Sequence, residues 1–239
     1  MNISVEYSHA FQPIIDIETR RIISYEVLLR GKNNEPPGTV FGHIGRENLM
    51  AFDQVSRERA IKLAVNLGIN CSLNLNFTPG AILFELGKYV EETLVVAQQQ
   101  GLEANQLIVE VTESEAINTT SALQSVLNKL RRTGVVIAID DFGAGYAGLN
   151  LLTDVQPDLI KLDMHLLRDI DKNGARQSIV RAISDICIDL GIDVLAEGVE
   201  TKEEFEFLKK QGIVLYQGYL FAKPGFECLP SVPIQYYED

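Results

Sequence analysis

The chain has 239 residues, 46% of them hydrophobic and 23% charged, which is ample for one barrel-sized core or two small domains. The absence of low-complexity runs argues against disorder. A formal net charge of −12 argues against nonspecific binding to DNA or RNA, but it leaves room for a small phosphate ligand if metal ions and a few cations reverse the sign locally.

The first elements read as an antiparallel hairpin: a strand from His9 to Asp16, a short polar turn to Arg20, and a strand from Arg21 to Gly31. Lys32 to Gly38, with its prolines, asparagines and glycine, is a loop. A helix is predicted from Arg46 to Leu67, with Phe52, Val55, Ala60, Leu63, Ala64 and Leu67 on its apolar face and Gly68 as its stop. Ser72 to Phe77 alternates as a third strand, Thr78-Pro79 ends it, and Leu83 to Gln100 is helical.

From there the chain keeps a regular beat. Strands are predicted over Gln106–Val111, Val135–Asp140, Asp158–Asp163, Ile192–Glu197 and Ile213–Tyr216. Helices are predicted over Ser121–Arg132, Ala175–Leu190 and Lys202–Lys210, each closed by a glycine. The tail from Gly225 reads as a covering segment. About eight strands, the later ones separated by single helices, have the size and rhythm of a (β/α)8 TIM-like barrel. The expected fold is therefore α/β, one domain over 1–239, with an irregular, partly antiparallel start. A doubly wound open sheet is the alternative, weakened because no G-x-G-x-x-G follows the first strand.

Cys71, Cys187 and Cys228 fit no metal spacing and read as reduced thiols, the first two as small core residues. No stretch approaches the roughly 20 apolar residues of a membrane span, and Met1 to Tyr7 lacks the basic and apolar regions of a signal peptide. A cytoplasmic protein with no membrane partner is expected.

The polar residues gather where the strands end: Glu26, Asn76, Glu110, the adjacent pair Asp140 and Asp141, Lys161, Glu197 and Gln217. In a barrel those ends share one bowl. Carboxylates and an amide, with no histidine or cysteine among them, are hard ligands suited to Mg²⁺ or Mn²⁺. Neighbouring aspartates can each reach a different ion, or one can bridge both, as in two-metal phosphoester hydrolysis. Lys161 could hold a water or a phosphate oxygen, and Arg30 could contact phosphate bidentately. Each residue also has a plainer role open to it. Glu26 could be a solvated hairpin residue, Asn76 a helix cap, Glu110 or Glu113 a salt-bridge partner, Lys161 an ordinary paired lysine, and Glu197 with Glu200 the acidic start of a helix.

These residues carry a family likeness. The chain resembles the EAL-domain cyclic di-GMP phosphodiesterases over essentially its whole length. The blocks are Gln12-Pro13-Ile14, Glu26-Val27-Leu28-Leu29-Arg30-Gly31, Asn76-Phe77-Thr78-Pro79, Glu110-Val111-Thr112-Glu113, Asp140-Asp141-Phe142-Gly143, Lys161-Leu162-Asp163, Glu197-Gly198-Val199-Glu200 and Gln217-Gly218-Tyr219. The resemblance implies hydrolysis of one phosphodiester bond of cyclic di-GMP to linear pGpG, with two Mg²⁺ or Mn²⁺ ions. It assigns Glu26, Asn76, Glu110, Asp140, Asp141 and Glu197 to metal, and Lys161 to the attacking water. It assigns Gln12, Arg30 and Gln217 to the substrate side, Gln217 by way of that water, and Glu113 to steadying the loop after Asp141. A lysine is a poor base unless its pKa is lowered, so an orienting role suits Lys161 better.

The chain departs from the pattern at Val27, where the name motif has alanine, and at Ala144, Ala147 and Gly148, where threonine and serines are common. That loop is linked in the family to dimer contacts, so a homodimer is expected while its coupling to activity is left open. The segment from Asn33 to Leu67 is similar to EAL domains joined to blue-light sensors. No sensor or cyclase partner is expected within this chain, so control by a separate sensor protein is a further possibility. A catalytically inactive EAL domain, acting as a cyclic di-GMP receptor or protein-interaction module, is the competing reading. An unrelated metal-dependent barrel is the third.

Overall fold

The computed structural model describes residues 5–112, 121–144 and 149–233. Strands β1 (Tyr7–Asp16) and β2 (Arg21–Gly31) form the expected antiparallel hairpin. Asp16 Oδ1 closes its turn by accepting hydrogen bonds from the backbone N–H groups of Glu18 and Thr19. From β2 onward the strands pair parallel in chain order: β3 (Ser72–Asn76), β4 (Leu107–Thr112), β5 (Val136–Phe142), β6 (Leu159–Leu162), β7 (Asp193–Ala196) and β8 (Leu215–Tyr216). β8 then pairs with the far end of β1 at Ile15 and Asp16, which closes the barrel. The fold is a (β/α)8 TIM-like barrel whose first strand runs against the others.

The helices lie outside it: α1 (Pro37–Phe41), α2 (Leu49–Asn66), α3 (Pro79–Leu83), α4 (Lys88–Gln99), α5 (Ser121–Arg131), α6 (Asn150–Val155), α7 (Met164–Leu167), α8 (Gly174–Leu190) and α9 (Lys202–Lys210). Outward-facing Leu73, Leu75, Val109, Val111, Ile137, Ile139, Ile160 and Leu162 join the core beneath these helices. A second core, Ile14, Ile108, Ala138, Leu159, Leu195 and Leu215, plugs the lower barrel. Side chains two apart on a strand share a face. The residues two positions nearer the mouth from these six are Gln12, Glu110, Asp140, Lys161, Glu197 and Gln217. Each inward face thus turns from apolar to polar at one level of the barrel.

The tail acts as the expected cover. β9 (Gly225–Phe226) pairs with Ala10 and Phe11, Tyr25 Oη donates to Pro230 O, and Glu227 N donates to His9 O. No helix among the described residues is long and apolar enough to cross a membrane. Cys187 is buried, Cys71 is half-buried against the core and Cys228 is exposed.

Two predicted helices differ from expectation, and α1, which begins within the segment read as a loop, α6 and α7 lie where the sequence pattern predicts none. The segment read as one helix over Leu83–Gln100 is α3 and α4, broken where Glu85, Leu86 and Gly87 take left-handed φ values of 42°, 59° and 101°. α2 starts at Leu49 after a 3-10 turn over Arg46–Asn48, and its Val55 is 52% exposed. Its buried face carries Gln54, Ser56 and Arg57 beside Phe52, Ala60, Ile61 and Ala64, because Ser56 and Arg57 meet His9 and the Asn76 carbonyl of the barrel wall while Ala60, Ile61 and Ala64 join the apolar core.

Candidate active site

Consecutive strand residues point to opposite faces, so Asp140 and Asp141 should not reach one site. They do so here because the β5–β6 register shifts between Ile139 and Phe142, and Asp141 adopts a left-handed backbone with φ 56°. That is bulge geometry, and aspartate tolerates it better than most residues. The Asp141 N–H donates back to Asp140 Oδ1 at 3.0 Å.

Around this bulge the carboxylates form two overlapping groups. Oxygens of Glu26, Glu110 and Asp140 lie within 4.8 Å of one another, as do those of Asp140, Asp141 and Glu197. Asp140 belongs to both. Lys161 rises between them, fully buried, with Nζ 2.9 Å from Asp140, 3.2 Å from Glu110 and 3.5 Å from both Glu26 and Glu197. Gln217 Nε2 donates to Glu26 Oε2 at 2.6 Å.

The electrostatics follow from one cation among five acids. Burial, with help from Asp140 and Glu26, outweighs Lys161 and lifts the Glu110 pKa to about 8. Burial and the neighbouring carboxylates likewise push Glu197 well above the usual range. Burial, then Asp140, raises Asp141 to about 6. Burial also works against ionisation of Asp140, but the charge and hydrogen bond of Lys161 and the Asp141 N–H outweigh it and hold Asp140 below its ordinary value. Burial alone would depress Lys161; the four carboxylates overcome that and hold its pKa well above normal. A charged ammonium has no lone pair, so Lys161 in this setting donates rather than accepts.

The donor atoms are oxygens only. The buried Glu110 Oε2 and Gln217 Oε1 accept no hydrogen bond among the described residues. Converging, partly unsatisfied oxygens of net negative charge fit hard divalent cations, which would favour their ionised forms.

The other expected site residues lie around this centre. Asn76 ends β3 opposite Glu110, exposed at the mouth; the cap of α3 is made by Thr78, whose hydroxyl accepts from Ala81 N. Gln12 sits opposite Glu26 in the hairpin and donates to Ala222 O at 3.2 Å. Arg30 stands near the upper end of β2, opposite Ser8, and bonds Leu29 O. Glu200 is turned away to Arg168 at 3.0 Å, and the cap of α9 is Thr201 in a capping box with Glu204. Glu113, Ala147 and Gly148 lie outside the described residues.

One buried residue was missed from the sequence. Asn74 is fully buried, pairs in register with Glu26, and donates from Nδ2 to Glu110 Oε1 at 2.8 Å. The alternation of β3 puts it on the same face as Asn76, and that was the available signal.

A TIM-like barrel with a lysine inside two carboxylate groups that share an aspartate defines a class: a barrel whose C-terminal mouth carries a cluster of acids that could hold hard cations. The chain belongs to the EAL domain family, whose profile matches residues 4–224. It is 36% identical over 224 residues to the blue light- and temperature-regulated antirepressor BluF of Escherichia coli, covering 93% of this chain and 55% of that protein. It is 34% identical over 220 residues to a cyclic di-GMP phosphodiesterase of Pseudomonas aeruginosa, covering 90% of this chain and 38% of that protein. The chain thus spans about half or less of the length of these curated relatives. Among solved structures, a standalone versatile EAL protein from Vibrio cholerae in its c-di-GMP-bound form matches at TM-score 0.92 and 40% identity over 100% of both chains. Klebsiella pneumoniae BlrP1, in a manganese and cyclic di-GMP complex, matches at TM-score 0.87 and 41% identity over 92% of this chain and 56% of that one.

Proposed function

We propose that this protein hydrolyses one 3′–5′ phosphodiester bond of cyclic di-GMP to give linear pGpG, using two divalent ions, Mg²⁺ or Mn²⁺. The observation that carries the reading is the pair of carboxylate groups sharing Asp140. Glu26, Asn76, Glu110 and Asp140 would hold one ion; Asp140, Asp141 and Glu197 would hold the other. Bound there, the ions would polarise the phosphodiester and make a water nucleophilic at neutral pH.

The chain's own residues would do the rest. Lys161, charged, orients the attacking water and offers a proton-bearing nitrogen to charge developing on phosphate oxygen. Gln217 fixes the Glu26 carboxylate, Asn74 fixes that of Glu110, and Gln12 and Arg30 engage the nucleotide from β1 and β2. Glu113 would steady the loop after Asp141. Residence in the cytoplasm fits the free thiols of Cys71, Cys187 and Cys228, while homodimerisation and control by a separate sensor protein rest on the family likeness; light scattering with and without cyclic di-GMP tests the dimer.

The deciding experiment is chromatographic product analysis after incubation with cyclic di-GMP and Mg²⁺, Mn²⁺ or a chelator. Linear pGpG formed only with metal supports the proposal. Tight binding without product would favour the second reading, a receptor or protein-interaction module, to which the antirepressor name of one relative lends weight. Neither binding nor product would overturn the nucleotide assignment.

A further inference from the structure

β2 and β3 pair only from Ser24↔Ser72 to Glu26↔Asn74. Beyond that point they part, leaving between them a cavity of about 230 Å³ that Arg30, Arg57 and Asn76 help to line. The peptide unit joining Asn76 to Phe77 therefore has a strand neighbour on one side only. Its N–H donates to Glu110 O at 2.9 Å, continuing the ladder to β4. Its C=O faces the side from which β2 has withdrawn, and a strand donor is missing there.

Arg57 fills that place from α2. Its Nη1 donates to Asn76 O at 3.2 Å, and its guanidinium carbon lies 3.9 Å from the centre of the Phe77 ring. The guanidinium is itself held, by an ion pair with Asp53 and by Nη2 donating to Gln54 Oε1 at 3.1 Å. It is 4% exposed. A buried arginine bound on its own helix and spending a donor on one backbone carbonyl is a costly arrangement unless that carbonyl matters.

We infer that Arg57 is a positioning residue for Asn76: it replaces the donor that β2 no longer supplies and fixes the peptide plane from which the Asn76 side chain projects. This rests on the reading of Asn76 as a metal ligand. Such outer supports set the aim of a ligand whose own side chain is exposed and otherwise free to turn.

The test is a double-mutant cycle on Mn²⁺ affinity, read by titration calorimetry and by electron paramagnetic resonance of free Mn²⁺, without substrate. Asn76→Ala, Arg57→Met and the combined variant are compared with the starting protein. Arg57→Met should weaken Mn²⁺ at one site about tenfold, and add little once Asn76 is alanine. Arg57→Lys, which keeps a donor and the charge, should recover much of the loss. An equal loss from Arg57→Met in both backgrounds, or no loss in either, overturns the inference while leaving the metal site intact. Unchanged Mn²⁺ affinity in Asn76→Ala alone shows instead that the ligand assignment has failed, and the inference falls with it. If Arg57→Met folds poorly because Asp53 is stranded, the same cycle is run with Asp53→Asn added throughout.

Discussion

Lys161 Nζ lies 2.9 Å from Asp140 Oδ1, and three further carboxylates stand within 3.5 Å of the same nitrogen. A single buried ammonium thus offsets part of the charge of four carboxylates. Replacing it with methionine strands those acids, and breaking a buried pair costs about 3–5 kcal/mol. Lys161→Met should melt at a distinctly lower temperature in chelator, regain part of the loss with Mn²⁺, and hydrolyse cyclic di-GMP at least roughly a hundredfold more slowly. Thermal melts with chelator and with Mn²⁺, beside a rate assay, check all three. An unchanged melt in chelator would contradict the charge argument.

Because Asp140 belongs to both carboxylate groups and Asp141 to one, their removal should not be equivalent. Asp141→Asn is expected to retain one Mn²⁺ and Asp140→Asn to bind neither tightly, with turnover abolished in the second. Glu26→Ala should also abolish turnover, by removing a ligand from the first group. Binding stoichiometry by calorimetry separates the cases. Equal stoichiometry for Asp140→Asn and Asp141→Asn would show that Asp140 is not shared.

Calcium offers a test of the geometry without mutation. Its larger, looser shell suits binding more than an octahedral two-ion centre does. Cyclic di-GMP should therefore bind in Ca²⁺ with an affinity near that in Mg²⁺, while product forms far more slowly. Comparable hydrolysis in the two ions would argue against the arrangement proposed.

Much of this was legible in the sequence, for a simple reason. The barrel beat and the run of polar residues at strand ends are both local patterns, and the barrel brings the ends of distant strands together. Glu26, Glu110, Asp140, Lys161 and Glu197 are thus grouped by local pattern alone. What local pattern could not give was anything made by a departure from regularity. The slip in β5 that turns Asp141 toward Asp140, the withdrawal of β2 from Asn76, and the break at Glu85–Gly87 are settled by neighbours remote in sequence. The polar face of α2 misled for the same reason: Ser56 and Arg57 are buried because of what β1 and β3 present to them, which helical periodicity does not report.

His9 is where the seam between β1 and α2 should respond to acid. The ring is 1% exposed and its Nε2 lies 2.9 Å from Ser56 Oγ. Burial, and then the charge of Arg59, lower its pKa to about 4 from an ordinary 6.5. Between those two values the unfolded chain binds the proton that the folded chain refuses, so stability rises with pH across the window. The contribution is present above 6.5 and is lost as pH falls through 4. A shift of this size corresponds to roughly 3 kcal/mol at the acid limit. Other titrating groups, the raised carboxylates around Lys161 among them, slope differently but are common to both proteins in a comparison. Urea unfolding of the starting protein and of His9→Gln, in chelator from pH 7 to pH 4, isolates the histidine. The starting protein should lose on the order of 3 kcal/mol more than the variant over that range, whereas parallel profiles would mean that the ring is protonated in place without opening the seam.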